Sequence, residues 1–152
     1  MSETLAPDLP YETTLEVRDR CLCFRAQRAA RALGRRFDIA LKPVGLTNGQ
    51  FSILMSLNRP EPPRISDLAP FLAMDRTTLT AALKVLERRG LVETAADEED
   101  KRGKLLRLSP RGHEILHAAM PIWRREHDTV DDALGGMDLA QLRAALVKLG
   151  EL

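Results

Sequence analysis

His113 and His117 stand four residues apart with Glu114 beside the first, which is the H-E-x-x-H spacing. On a helix that spacing turns two imidazoles to one side, where they can hold zinc while the glutamate acts as general base. A catalytic zinc needs a third protein ligand, and none is evident downstream beyond Glu126, His127, Asp131 or Asp132. The motif also falls at the start of a helix that a different arrangement already explains. Solvated helix histidines are therefore the default reading, a regulatory metal held by His113 and His117 is the alternative, and neither a cofactor nor enzymatic activity is expected. Cys21 and Cys23 form a second reactive pair. Two cysteines one residue apart make no disulfide framework, and on a continuous helix their side chains point about 200° apart. They read as reduced thiols, Cys23 being either an inert core group or an accessible sensor. A third group is ionic: in "ETAADEEDKRGKLLRL" the four acids Asp97 to Asp100 adjoin Lys101, Arg102 and Lys104.

These groups must be carried by regular elements. The apolar spacing of Leu15, Leu22, Ala26, Ala29, Leu33, Phe37 and Leu41 predicts one long helix from Thr13 to Lys42, ended by Pro43 and Gly45. Thr47 and Gln50 stand at capping-box spacing, so a second helix runs to about Asn58, and "RPEPP" follows as a stiff connector. "ISDLAPFL" is a short helix with Ile65, Leu68, Ala69 and Leu72 on one face. Asp75 then caps a helix whose stripe is Leu79, Ala82, Leu83 and Leu86 and whose terminating glycine is Gly90. Two helices thus meet across a three-residue turn. "LVETA" and "KLLRL" are too brief for helices and read as a hairpin with the charged run at its tip. Ser109 and Pro110 open a long helix that Pro121 should kink and that ends at Gly135 and Gly136, and Asp138 with Gln141 starts a last one reaching about Leu149.

Composition fits one soluble domain over 1–152: 44% of the residues are hydrophobic and 30% charged, and no apolar run is long enough to span a membrane. The acidic start "MSETLAPDLPYE" resembles neither a secretory signal nor a transit peptide, so a cytoplasmic location is expected. A formal net charge of +1 conceals uneven placement, with seven arginines and one acid between residues 18 and 36. Helix, tight turn, helix and hairpin make the order of a winged helix-turn-helix, whose second helix reads base edges in the major groove. The polar positions Arg76, Thr77, Thr78, Thr80 and Lys84 would carry that contact, the first of them at a helix N-terminus that also favours phosphate.

The run "LAPFLAMDRTTLTAALKVLERRGLVE" followed by "DEEDKRGKLLRLSPRG" resembles the MarR family of bacterial transcription regulators, and the resemblance extends over nearly all of the chain from Leu15 onward. It implies a mainly α winged helix-turn-helix fold with a two-stranded wing and a long-helix dimerisation region. Residues 47–108 would bind DNA, and residues 13–46 and 109–152 would join two subunits. Arg102 would enter the minor groove, supported by Lys104, with Asp100 holding the loop that carries it and the acids from Asp97 to Glu99 at the wing's base. The expected partners are a second copy of the chain, a pseudo-palindromic operator in double-stranded DNA and a small-molecule effector. An effector pocket lined by Phe24, Phe51, Met55 and Trp123, with Arg25 or Arg28 pairing a carboxylate, fits the family's habit of binding aromatic acids. "LCF" around Cys23 resembles the sensing cysteine of the organic-hydroperoxide branch, although Gln27 stands where those regulators carry a tyrosine.

Overall fold

A computed structural model of the chain describes residues 8–152, so the front of the acidic N-terminal stretch, residues 1–7, lies outside the described residues. The elements are α1 (Tyr11–Arg20), α2 (Leu22–Leu41), a 3-10 turn (Lys42–Val44), α3 (Asn48–Ser56), α4 (Ile65–Phe71), α5 (Arg76–Arg88), β1 (Val92–Ala96), β2 (Lys104–Leu108), α6 (Pro110–Ala133) and α7 (Leu139–Gly150). This is the mainly helical winged helix-turn-helix expected from the pattern. The chain divides into two compact units, the second beginning at Arg36. Among the described residues, no helix is long and apolar enough to cross a membrane.

The first unit departs from the expectation of an unbroken helix from Thr13 to Lys42. Cys21 is extended, at φ −73° and ψ 103°, and separates α1 from α2. Its sulfur accepts the Phe24 amide at 3.3 Å, so it caps α2 as a serine hydroxyl would. The Arg25 guanidinium donates to the Asp19 carbonyl and covers the open end of α1. Apolar spacings of three, four and seven tolerate a one-residue break, which is why periodicity alone did not reveal it. None of residues 8–35 is buried.

In the second unit, Leu41, Leu54, Leu68, Leu79, Leu86, Leu91 and Leu106 are fully buried. Each such leucine contributes about 1.5–3 kcal/mol through burial. Caps fix where the helices begin. Thr47 and Gln50 form the reciprocal box at 3.1 Å each way, and Asp75, Ser109 and Asp138 accept the amides of Thr78, Gly112 and Gln141. The hairpin is antiparallel with Val92 opposite Leu108 and Ala96 opposite Lys104, which turns Leu106 and Leu108 inward. The strands lie within one residue of the predicted ones. α6 continues through the exposed Pro121, whose missing amide leaves the His117 carbonyl without its helical partner, and ends at Ala133, just before the predicted glycines.

α4 and α5 close with the same hydrogen-bond pattern, in which the residue two beyond the cap donates back into the helix: Met74 to Ala69 at 2.9 Å and Leu91 to Leu86 at 3.0 Å. That turn needs a left-handed residue just after the cap. Gly90 supplies it for α5 at φ 70°, whereas α4 uses Ala73 at φ 50°. A Cβ in this region is strained. Ala73→Gly is expected to stabilise the protein by about 1 kcal/mol, raising the melting temperature by roughly 2–4 °C in a thermal melt followed by circular dichroism.

Candidate nucleic-acid interface

α5 presents its polar face because Leu79, Leu83 and Leu86 take the opposite face into the core. Arg76, Thr77, Thr80, Ala81 and Lys84 line one shallow surface depression of about 360 Å³. Ala81 is the member the sequence reading missed, and the helical spacing from Thr77 to Lys84 was the signal for it. Thr78 has a different task. Its amide and hydroxyl donate to the Asp75 carboxylate at 2.8 and 2.6 Å, and these bonds, the hydroxyl's first, hold that carboxyl below the usual range. The Thr80 hydroxyl donates to the Arg76 carbonyl at 2.7 Å, which leaves its oxygen lone pairs facing outward as acceptors.

In the wing, Asp100 accepts the Arg102 amide at 3.1 Å, and the Gly103 amide donates to the Asp100 carbonyl at 2.8 Å. These bonds make a tight turn that leaves Arg102 exposed at the tip. The acids beside it diverge. Glu98 and Glu99 line a depression with Glu61 and Asp67, whereas Arg102 and Lys104 line a separate cleft with Arg64, Ser66, Arg76 and Asp100. Asp97 is buried, 5% exposed, and forms an ion pair with Arg64 at the start of α4. Burial pushes its carboxyl up, but the amides of Glu99 and Asp100 and the Arg64 guanidinium outweigh that and hold it below the ordinary range. Arg64 and Ser66 were not singled out from sequence, because only the fold brings them to the wing.

Other predicted groups lie elsewhere. Phe51 is a core residue, 5% exposed and stacked on Trp123 at 6.2 Å, rather than a pocket wall. Trp123 is half-buried and also meets the His127 ring at 4.3 Å. Met55 lines a cleft of about 720 Å³ between α3 and α6, together with Asn58, His113, Glu114, Leu116, His117, Met120 and Arg124. The arginine of that cleft is thus Arg124. Arg25 is engaged by Asp19, and Phe24 and Arg28 are exposed on α2. Among the described residues, no three histidine, cysteine, aspartate or glutamate side chains converge as a metal site. Cys23 is exposed, and its sulfur accepts the Gln27 side-chain amide at 3.0 Å.

The sequence profile of the MarR family matches residues 46–104, from just before the α3 cap to the first residue of β2. The chain is 30% identical over 135 residues to the organic hydroperoxide resistance transcriptional regulator of Bacillus subtilis, covering 86% of this chain and 87% of that one. It is 31% identical over 114 residues to the transcriptional activatory protein BadR of Rhodopseudomonas palustris, covering 73% of this chain and 65% of the other. A crystal structure of the M. tuberculosis transcriptional regulator MosR in complex with DNA matches with a TM-score of 0.78 at 38% identity, covering 87% of this chain and 95% of that one. A polar recognition face and a charged wing on one winged helix-turn-helix thus coincide with kinship over most of the chain, which belongs to the MarR family of DNA-binding transcriptional regulators.

Proposed function

We propose that the protein is a cytoplasmic homodimeric repressor that binds a pseudo-palindromic operator in double-stranded DNA and is released by a small aromatic ligand. One observation carries this reading: the α5 face and the wing tip are cationic, exposed and, among the described residues, without ion-pair partners at Arg76, Lys84, Arg102 and Lys104. α5 enters the major groove and reads base edges through Arg76, Thr77 and Thr80, while Arg102 enters the adjacent minor groove. MosR, solved with DNA, supports the same partner for this chain. Residues 13–46 and 109–152 join the subunits. In support, Val17, Leu22, Leu146 and Val147 are all more than half exposed on the terminal helices, apolar surface that a second copy would cover. Two recognition helices related by a two-fold axis then meet DNA about 34–36 Å apart. A dimer seated there excludes other proteins from the same grooves, which represses.

The effector enters the cleft between α3 and α6, where Met55, Leu116 and Met120 offer apolar walls and Arg124 a partner for a carboxylate. The test combines light scattering, which should give the mass of two protomers, with gel retardation of the DNA upstream of the protein's own gene. Addition of aromatic acids should release that DNA, and Arg124→Ala should keep binding but lose the release. A monomer at binding concentrations, or no retention of any genomic fragment at low salt, overturns the reading.

A thiol signal is the second reading, favoured by the exposed Cys23 sulfur under the Gln27 amide and by the kinship with a hydroperoxide-resistance regulator. Organic hydroperoxide converts an accessible thiolate to a sulfenic acid, adding bulk and polarity on α2. Loss of DNA binding on treatment, absent in Cys23→Ser, is the expected sign. Peroxide-insensitive binding by fully reduced protein removes this reading and leaves a reversible ligand.

A further inference from the structure

The buried carboxylate of the wing, Asp97, ties the wing loop to the start of α4. Asp97 Oδ1 accepts the Glu99 amide at 3.0 Å, and the Asp97 amide donates to the Gly103 carbonyl at 3.2 Å, so one residue closes both sides of the wing loop. Its Oδ2 is buried, makes no hydrogen bond of good angle and is answered only by the Arg64 guanidinium. Arg64 is in turn fixed twice by its backbone. Its amide donates to the Asp67 carboxylate at 3.0 Å, and it bridges Leu105 of β2 while the Leu106 amide donates to the Pro63 carbonyl at 3.0 Å. The start of α4 and the wing are therefore joined by this ion pair and by the backbone links beside it, while the Thr94 hydroxyl of β1 donates to the Glu87 carboxylate of α5. Beside the ion pair lies a cleft of about 470 Å³, with Arg76 from α5 on one side and Arg102 and Lys104 from the wing on the other. Asp100 is the one carboxylate lining it, and its Oδ1 is occupied by the Arg102 amide.

We propose that Arg64 and Asp97 are positioning residues for DNA recognition: their buried ion pair latches the wing at a fixed distance from α5, so that the cations of the two elements grip one stretch of phosphate backbone in the cleft between them. This rests on the DNA-binding reading above. Asp97 lies outside that cleft whereas Arg64 also lines it, so Asp97→Asn tests the latch apart from any direct contact of Arg64 with phosphate. With the latch closed, the entropy of placing the wing is spent during folding, and Arg102 reaches its groove without a further ordering cost. With the latch open, the hairpin still pairs, but Arg102 samples positions that miss the groove.

The experiment is a double-mutant cycle on binding to a mixed-sequence duplex of about three helical turns, at several salt concentrations, with melting temperature and dimer mass recorded for each variant. Asp97→Asn and Arg64→Gln are each expected to weaken binding by about tenfold and to flatten its salt dependence. Arg102→Ala added to either should then cost much less than it does alone. Arg64→Lys, which keeps the charge, should recover most of the affinity. Should Asp97→Asn fail to fold, the coupling between Arg64→Gln and Arg102→Ala decides, with the melting temperature of Arg64→Gln reporting the cost of leaving the buried Asp97 Oδ2 unanswered. Wild-type affinity in folded Arg64→Gln, or strictly additive losses with Arg102→Ala, overturns the latch. If the unmodified protein holds DNA and Arg102→Ala alone weakens it, only the latch has failed. If the unmodified protein holds none, the DNA-binding reading fails first.

Discussion

Gly112→Ala is expected to destabilise the protein by about 3 kcal/mol or more, lowering the melting temperature by roughly 6–12 °C. Gly112 is the third residue of α6, where a glycine lowers intrinsic helix stability, so alanine would ordinarily be an improvement. The surroundings reverse the sign. A Cβ added there would lie 2.1 Å from the Leu91 carbonyl oxygen, 3.1 Å from its carbon and 3.3 Å from the Leu108 Cδ2. The carbonyl has no room to retreat, because it accepts the Ser109 amide at 3.1 Å, and the Ser109 hydroxyl donates to the neighbouring Gly90 carbonyl at 2.6 Å. Relief requires α6 to part from the segment between α5 and β1, breaking the Ser109 cap on the Gly112 amide as well. Gly49→Ala is the control: the nearest atom to its Cβ is the Thr47 Oγ1 at 4.0 Å, and a melt should show it neutral or slightly more stable. Equal melting temperatures for the two variants would mean that α6 and the β1 entry are not packed this closely.

Gly112 also illustrates which parts of this molecule can be read from sequence. Its place after the wing was visible as a motif, but the carbonyl that excludes every side chain there is contributed by Leu91, across the hairpin. The helix starts at Thr47, Asp75, Ser109 and Asp138 were legible because a cap is a local event, written in a side chain and an amide a few positions away. The α5 face was legible because a leucine stripe of helical period leaves the polar residues on the other side. What escaped were relations between distant segments. Asp100 was set apart as the acid that holds the Arg102 loop, a local relation. Asp97 to Glu99 were grouped together at the wing's base, yet Asp97 is buried against Arg64 while Glu98 and Glu99 face another depression. The break at Cys21 escaped for a different reason. Cysteine is not a residue type expected to cap, and the apolar period survives on both sides of the break. Among the pocket residues, Phe51 was an aromatic whose stripe position identified a buried face but not whether that face met a cavity or Trp123.

Arg102→Ala is expected to weaken binding to operator and non-operator duplexes alike, by roughly 10-fold to 100-fold, and to reduce the slope of log affinity against log salt by about two. The slope argument is a count: each protomer would place one Arg102 in the minor groove, and a homodimer would lose two cations on one duplex. Sequence enters weakly, because a narrow minor groove attracts arginine through its potential and width rather than through a unique set of donors and acceptors. Thr77→Ala should behave in the opposite way. It carries no charge, so the salt slope should stay unchanged, while discrimination at one base pair of each half-site falls by roughly 1–3 kcal/mol. The wild-type protein supplies the scale, since a dimer neutralising six to ten phosphates loses about 10³–10⁵ in affinity between about 50 and 200 mM salt. The two variants thus separate charge from readout in a single titration series against operator and scrambled duplexes. An Arg102→Ala protein that is folded, dimeric and unaltered in both affinity and slope would remove the wing from the interface, and α5 alone would then have to account for the binding.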